Sequence, residues 1–96
     1  MALGATIREK HGDILRIAAR YGVRDVRVFG SVARGQADEH SDVDFLVEME
    51  EGRSLLDLGG FQYEVEALLG VPVDVVTERG LKARIRDRVV QEAVPL

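Results

Sequence analysis

Gly30 and Ser31, then Asp42 and Asp44 after ten intervening residues, and finally Asp74 are the residues of this 96-residue chain whose types and spacing can do chemistry. Two positions apart on an extended strand, Asp42 and Asp44 would project both carboxylates from one face, about 6 to 7 Å apart along the chain. Magnesium takes oxygen ligands in octahedral geometry, binding through one or two carboxylates plus substrate phosphates, so this pair reads as a pincer for two Mg²⁺ ions. Asp74 alternates with Val73 and Val75 as Asp44 alternates with Val43 and Phe45. A neighbouring strand would therefore bring it to the same face as a third ligand. Three carboxylates that close repel, and without a cation at least one is driven to protonate. Gly30 and Ser31 stand where a strand is expected to turn into a helix. There a backbone without a Cβ, free N–H groups and a hydroxyl could seat a phosphate.

These residues need elements to position them. From Thr6 to Tyr21 the residues Ile7, Ile14, Leu15, Ala18 and Tyr21 recur at helical spacing, with Gly12 an internal weak point and Gly22 placed to end the helix in a left-handed turn. Val26 to Phe29 reads as a short strand, followed by one or two helical turns after Gly30. Val43, Phe45 and Val47 alternate with Asp42, Asp44, Leu46 and Glu48, a strand with one acidic face. Ser54 and Asp57 resemble a capping box opening a helix with Leu55, Leu58, Gln62, Val65 and Leu69 on one side, closed by Gly70. Pro72 leads into a third strand around Val73 and Val75, and a last helix carries Leu81, Ile85 and Val89 on one stripe. The expected architecture is α/β (α+β), a small mixed three-stranded sheet flanked by about four helices.

Ninety-six residues are expected to form one domain spanning 1–96, with 46% hydrophobic and 31% charged residues, the balance of an ordinary globular protein. The absence of cysteine excludes disulfides and thiolate metal sites. Neither a membrane span nor a secretory signal is present in the sequence, so the cytoplasm is the expected compartment. A net charge of −4 argues against stable nucleic-acid binding.

The glycine-serine pair, the ten-residue spacer, Asp-x-Asp and the later lone aspartate resemble the DNA polymerase β nucleotidyltransferase superfamily. The flanking patterns VFGSVARG, SDVDFLVE and VDVVT are most similar to the minimal nucleotidyltransferases, antitoxin partners of HEPN-domain toxins. The resemblance runs from about Ile7 to Pro95. It implies a palm-like core, with Asp42, Asp44 and Asp74 as catalytic residues and Mg²⁺ ligands. Gly30 and Ser31 would hold the β- and γ-phosphates of ATP, and Arg34 would touch the triphosphate or brace the acidic loop. It also implies Mg-dependent transfer of AMP from a nucleoside triphosphate to a hydroxyl, a tyrosine of the HEPN toxin. The alternative is a non-catalytic antitoxin that neutralises the toxin by binding. A homo-oligomer is compatible with the sequence.

Competing motifs fail on their own requirements. A Walker A loop needs lysine after its second glycine, but Gly35 is followed by Gln36 and Ala37. No G-x-G-x-x-G is present, and an EF-hand breaks at Phe45 and Leu46. Arg79, Lys82, Arg84, Arg86 and Arg88, diluted by Glu78, Asp87 and Glu92, read as a solvated helix face. Glu48, Glu50 and Glu51 read as a charged loop, and His11 and His40 as surface imidazoles. Tyr21 and Tyr63 read as packing residues. Leu55, Leu56, Leu58 and Phe61 exceed what one helix buries equally, and packing in the core is their default reading.

Overall fold

A computed structural model describes residues 3–36 and 42–96. His40 lies outside the described residues. Helices α1 (Leu3–Glu9) and α2 (His11–Arg20) lead into strand β1 (Val23–Phe29), which is followed by β2 (Val43–Met49), α3 (Leu55–Leu69), β3 (Val73–Thr77), α4 (Ala83–Glu92) and a two-residue strand β4 (Val94–Pro95). The sheet is mixed, in the order β3-β2-β1-β4. β1 runs antiparallel to both β2 and β4, whereas β2 and β3 are parallel, Val43 to Val73 through Val47 to Thr77.

The sheet thus has four strands rather than three. Val94 and Pro95 pair with Val28 and Arg27, and Leu96 donates its N–H to the carbonyl of Val26. Two residues between a helix and the chain end carry no alternation to read, which is why this strand is invisible to periodicity.

Other expectations change as well. The first helix is interrupted at Lys10, just before Gly12, although Lys10 N–H still donates to Thr6 and Ile14 N–H to the Lys10 carbonyl. Among the described residues no helix follows Gly30: the turn closes through Arg34 to Gly30, Gly35 to Val32 and Gln36 to Ser31, three bonds of differing span that do not propagate a helix. On α3 the buried residues are Phe61 and Val65, with Leu58, Leu68 and Leu69 packed beside them, while Leu55 and Leu56 are more than 80% exposed. Tyr63 is exposed too, and so is Leu15 on α2.

The rest follows local rules. Gly22 and Gly70 end their helices with positive φ. The Ser54 hydroxyl accepts from Leu56 N–H and the Asp57 carboxylate from Ser54 N–H, so α3 begins on a complete capping box worth about 1 kcal/mol. The core lies between the sheet and α1, α2 and α3. Val43, Phe45 and Val47 from β2 are wholly buried there beside Ile14, Phe61 and Val65. Phe45 and Phe61 meet edge to face, centroids 6.1 Å apart. Burying Val43, Phe45 and Val47 on one face obliges Asp44 and Glu48 to leave by the other.

Candidate active site

Asp44 and Asp74 are direct partners in the parallel pairing of β2 and β3. Register partners on adjacent strands project to the same side, so the two carboxylates are set together by sheet geometry rather than by a loop. Asp42 stands two residues earlier, exposed at the threshold of β2, where Val43 N–H continues the pairing to the Pro72 carbonyl. On the other side, Phe29 pairs with Asp44, which delivers Gly30 to its flank.

Gly30 is required twice over. Its φ is +74°, in the region that favours glycine, and a Cβ built there would fall 2.3 Å from Oδ2 of Asp44. The carboxylate therefore leans against bare backbone at the start of the turn that contains Ser31. From that turn Arg34 reaches Glu92 at the end of α4 over 2.6 Å, and its Nε donates to Gln36 over 3.1 Å.

The electrostatics are those of a site short of positive charge. Burial, then the negative charges of Asp74 and Asp42, push the Asp44 carboxyl above its ordinary value; Arg34 opposes the rise and Glu92 adds to it. Among the described residues no three acidic or imidazole side chains already close into a ready-made metal cage. The three aspartates instead share one end of the sheet with Gly30. Their hard oxygens, mutual repulsion and unmet charge suit a divalent cation bound jointly with a phosphate-bearing ligand.

A family model described as the nucleotidyltransferase domain matches residues 12–96. The chain belongs to the nucleotidyltransferase family. It is 44% identical over 88 residues to a Methanocaldococcus jannaschii protein classed as a protein adenylyltransferase, covering 92% of this chain and 95% of that one. It is 49% identical over 75 residues to the protein adenylyltransferase MntA of Thermococcus cleftensis, covering 78% and 76%. A solved minimal nucleotidyltransferase structure superposes with a TM-score of 0.88 at 53% identity, over 100% of this chain and 97% of that one. At 19% identity the fold recurs in a toxin-antitoxin crystal structure with AMP-PNP, TM-score 0.74, over 88% of this chain and 69% of that one. This nucleotidyltransferase is thus an enzyme of the minimal kind, with the α+β core the sequence led us to expect and one extra edge strand.

The structure gathers Gly30, Asp44 and Asp74 of the nucleotidyltransferase motif, with Asp42 and Arg34 near enough to act on the Asp44 charge. Glu92 joins them, a residue that in sequence only dilutes a basic segment. One local signal marks it: a carboxylate in the last turn of α4, where the helix dipole favours a cation and no basic residue stands. Among the described residues no helix is long and apolar enough to cross a membrane.

Proposed function

We propose that residues 1–96 form one catalytic domain that transfers AMP from ATP to a hydroxyl, with Mg²⁺ held by Asp42, Asp44 and Asp74. The observation that carries this reading is the in-register pairing of Asp44 with Asp74 beside a glycine whose missing Cβ leaves room for the carboxylate. When bound, two Mg²⁺ ions would neutralise charge on the α-phosphoryl group and the departing pyrophosphate. The chain's own residues supply position. Asp44 presents its oxygens from a strand fixed by the burial of Val43, Phe45 and Val47, with Asp42 at its threshold, and Asp74 adds a carboxylate able to orient the attacking hydroxyl. Gly30 and Ser31 offer backbone N–H groups and a hydroxyl to the β- and γ-phosphates. Arg34 supplies the nearby cation, aimed at the triphosphate.

The acceptor is a tyrosine of a HEPN-domain toxin, and the protein acts as the antitoxin of that pair in the cytoplasm. Support comes from relatives named protein adenylyltransferases and from the shared fold of a toxin-antitoxin complex. Incubation of the protein with its cognate toxin, ATP and Mg²⁺ tests the reading by mass spectrometry. One or more AMP additions on a toxin tyrosine are expected, lost with Asp44→Asn. A toxin that is neutralised without any mass change, and equally well by Asp74→Asn, would establish inhibition by binding instead.

A further inference from the structure

Glu92 is three-quarters buried and ends a helix with its negative charge on the dipole's negative pole. It also raises the charge burden on Asp44. Both placements are unfavourable, and the compensation visible is the 2.6 Å contact with Arg34. A residue that breaks local rules in this way marks a constraint set elsewhere in the fold.

Chain geometry shows what the constraint is. β4 pairs with β1 through Val28 to Val94 and Arg27 to Pro95. Because Val94 is paired with Val28, the end of α4 two residues earlier is held near the C-terminal end of β1, where Gly30 follows Phe29. The turn bearing Arg34 springs from the same point, since Arg34 N–H donates to the Gly30 carbonyl. Both ends of the Arg34–Glu92 pair are therefore tied to the C-terminal end of β1, the end of the sheet where Phe29 pairs with Asp44. Arg34 is half exposed, and its contacts through Nε to Gln36 and through one terminal nitrogen to Glu92 fix the plane of the guanidinium.

We infer that Glu92 is a positioning residue: it holds the Arg34 guanidinium at the mouth of the site, so that an incoming triphosphate meets a cation already aimed. This deepens the function proposed above and rests on it, because Arg34 must contact the nucleotide for its orientation to matter. A long arginine side chain loses rotamer freedom when it binds, and holding it beforehand removes that cost from nucleotide binding. The gain outweighs the repulsion Glu92 adds only while Arg34 lies between the carboxylate and the ligand.

Calorimetric titration of ATP with Mg²⁺, in the absence of any acceptor, tests this on wild type, Arg34→Ala, Glu92→Gln and the double variant, with thermal unfolding measured on each. Neutralising position 92 removes a charge that α4 disfavours, so Glu92→Gln is expected to fold with unchanged or slightly higher Tm. Its ATP affinity should fall on the order of tenfold, equivalent to 1.4 kcal/mol. Arg34→Ala should fall further, and adding Glu92→Gln to it should cost nothing more or recover part of the loss. Additive losses, or a Glu92→Gln affinity equal to or tighter than wild type while Arg34→Ala is weakened, would overturn the positioning role alone. An Arg34→Ala protein that binds ATP as wild type does would remove the nucleotide-contacting role of Arg34, and the inference with it.

Discussion

Gly30 and Asp44 are packed so that no further carbon fits between them: a β-carbon at position 30 would sit 2.3 Å from the Asp44 carboxylate oxygen and 3.2 Å from its carboxyl carbon. Gly30→Ala therefore carries two penalties, the left-handed backbone, which costs an L-residue about 1 to 2 kcal/mol, and the forced displacement of the Asp44 oxygen proposed to bind metal. A shift of about 1 Å in a reacting group can cost on the order of 100-fold in rate. Adenylylation by Gly30→Ala should thus fall at least that far while the protein remains folded with a lowered Tm. Wild-type activity from this variant would contradict the tight fit.

Asp44→Asn should separate stability from function. With its folded-state pKa raised above the unfolded value, Asp44 favours folding in its protonated form, so its contribution is fully present below pH 3.8 and is lost as the pH rises through the folded value. Asparagine carries no such charge. In the absence of divalent cations, the Tm of Asp44→Asn relative to wild type should climb across that window and stay higher at neutral pH. Adding Mg²⁺ with ATP should stabilise wild type and leave the variant unmoved, because only the former gains a ligand. A variant less stable than wild type at neutral pH without metal would show that the site is not electrostatically strained.

Much of this site is legible in the sequence because its parts obey short-range rules. The period-2 pattern from Asp42 to Glu48 places Asp44 opposite the core face, and Val73-Asp74-Val75 repeats the pattern on the next strand. Gly22, Gly70 and the Ser54–Asp57 capping box are punctuation that local chemistry dictates. What escaped was decided by distant pairing. Glu92 lies 58 residues from Arg34 and reaches it only because two residues of β4 add to the edge of β1. Likewise, Leu55, Leu56, Leu58 and Phe61 crowd one end of a helix that can bury a single stripe. The stripe through Leu58, Phe61 and Val65 wins because their spacings of three and four keep them on one side.

Tyr21 and Glu64 make a clasp between the end of α2 and the middle of α3, the phenol donating to a carboxylate that also accepts from Arg20. The hydrogen bond from Tyr21 holds Glu64 below its ordinary value, so this contribution is present above pH 4.5 and is lost as the pH falls through the folded value. The same bond raises Tyr21, whose contribution is present below pH 10.0 and is lost as the pH rises through its folded value. Tyr21→Phe should accordingly lower Tm most in the neutral plateau and converge on wild type in acid and in strong alkali. A difference that does not vary with pH would assign the Tyr21 contribution to ring packing instead.

Gly59 and Gly60 are neighbours inside α3, yet alanine should have opposite effects at the two. Alanine is the better helix former by about 1 kcal/mol, and at position 59 nothing lies within 4 Å of the added Cβ, so Gly59→Ala should raise Tm. At position 60 the new Cβ would fall 2.4 Å from Cε1 of Tyr21 and 2.9 Å from two more ring atoms. The ring is held by Glu64 and packs against the core, so it cannot withdraw without breaking the clasp, and Gly60→Ala should lower Tm. Placing Gly60→Ala in a Tyr21→Ala background removes the obstacle and should restore the helix-forming benefit. If Gly60→Ala is still destabilising there, the closeness of α2 to α3 at this point depends on the backbones themselves rather than on the tyrosine ring.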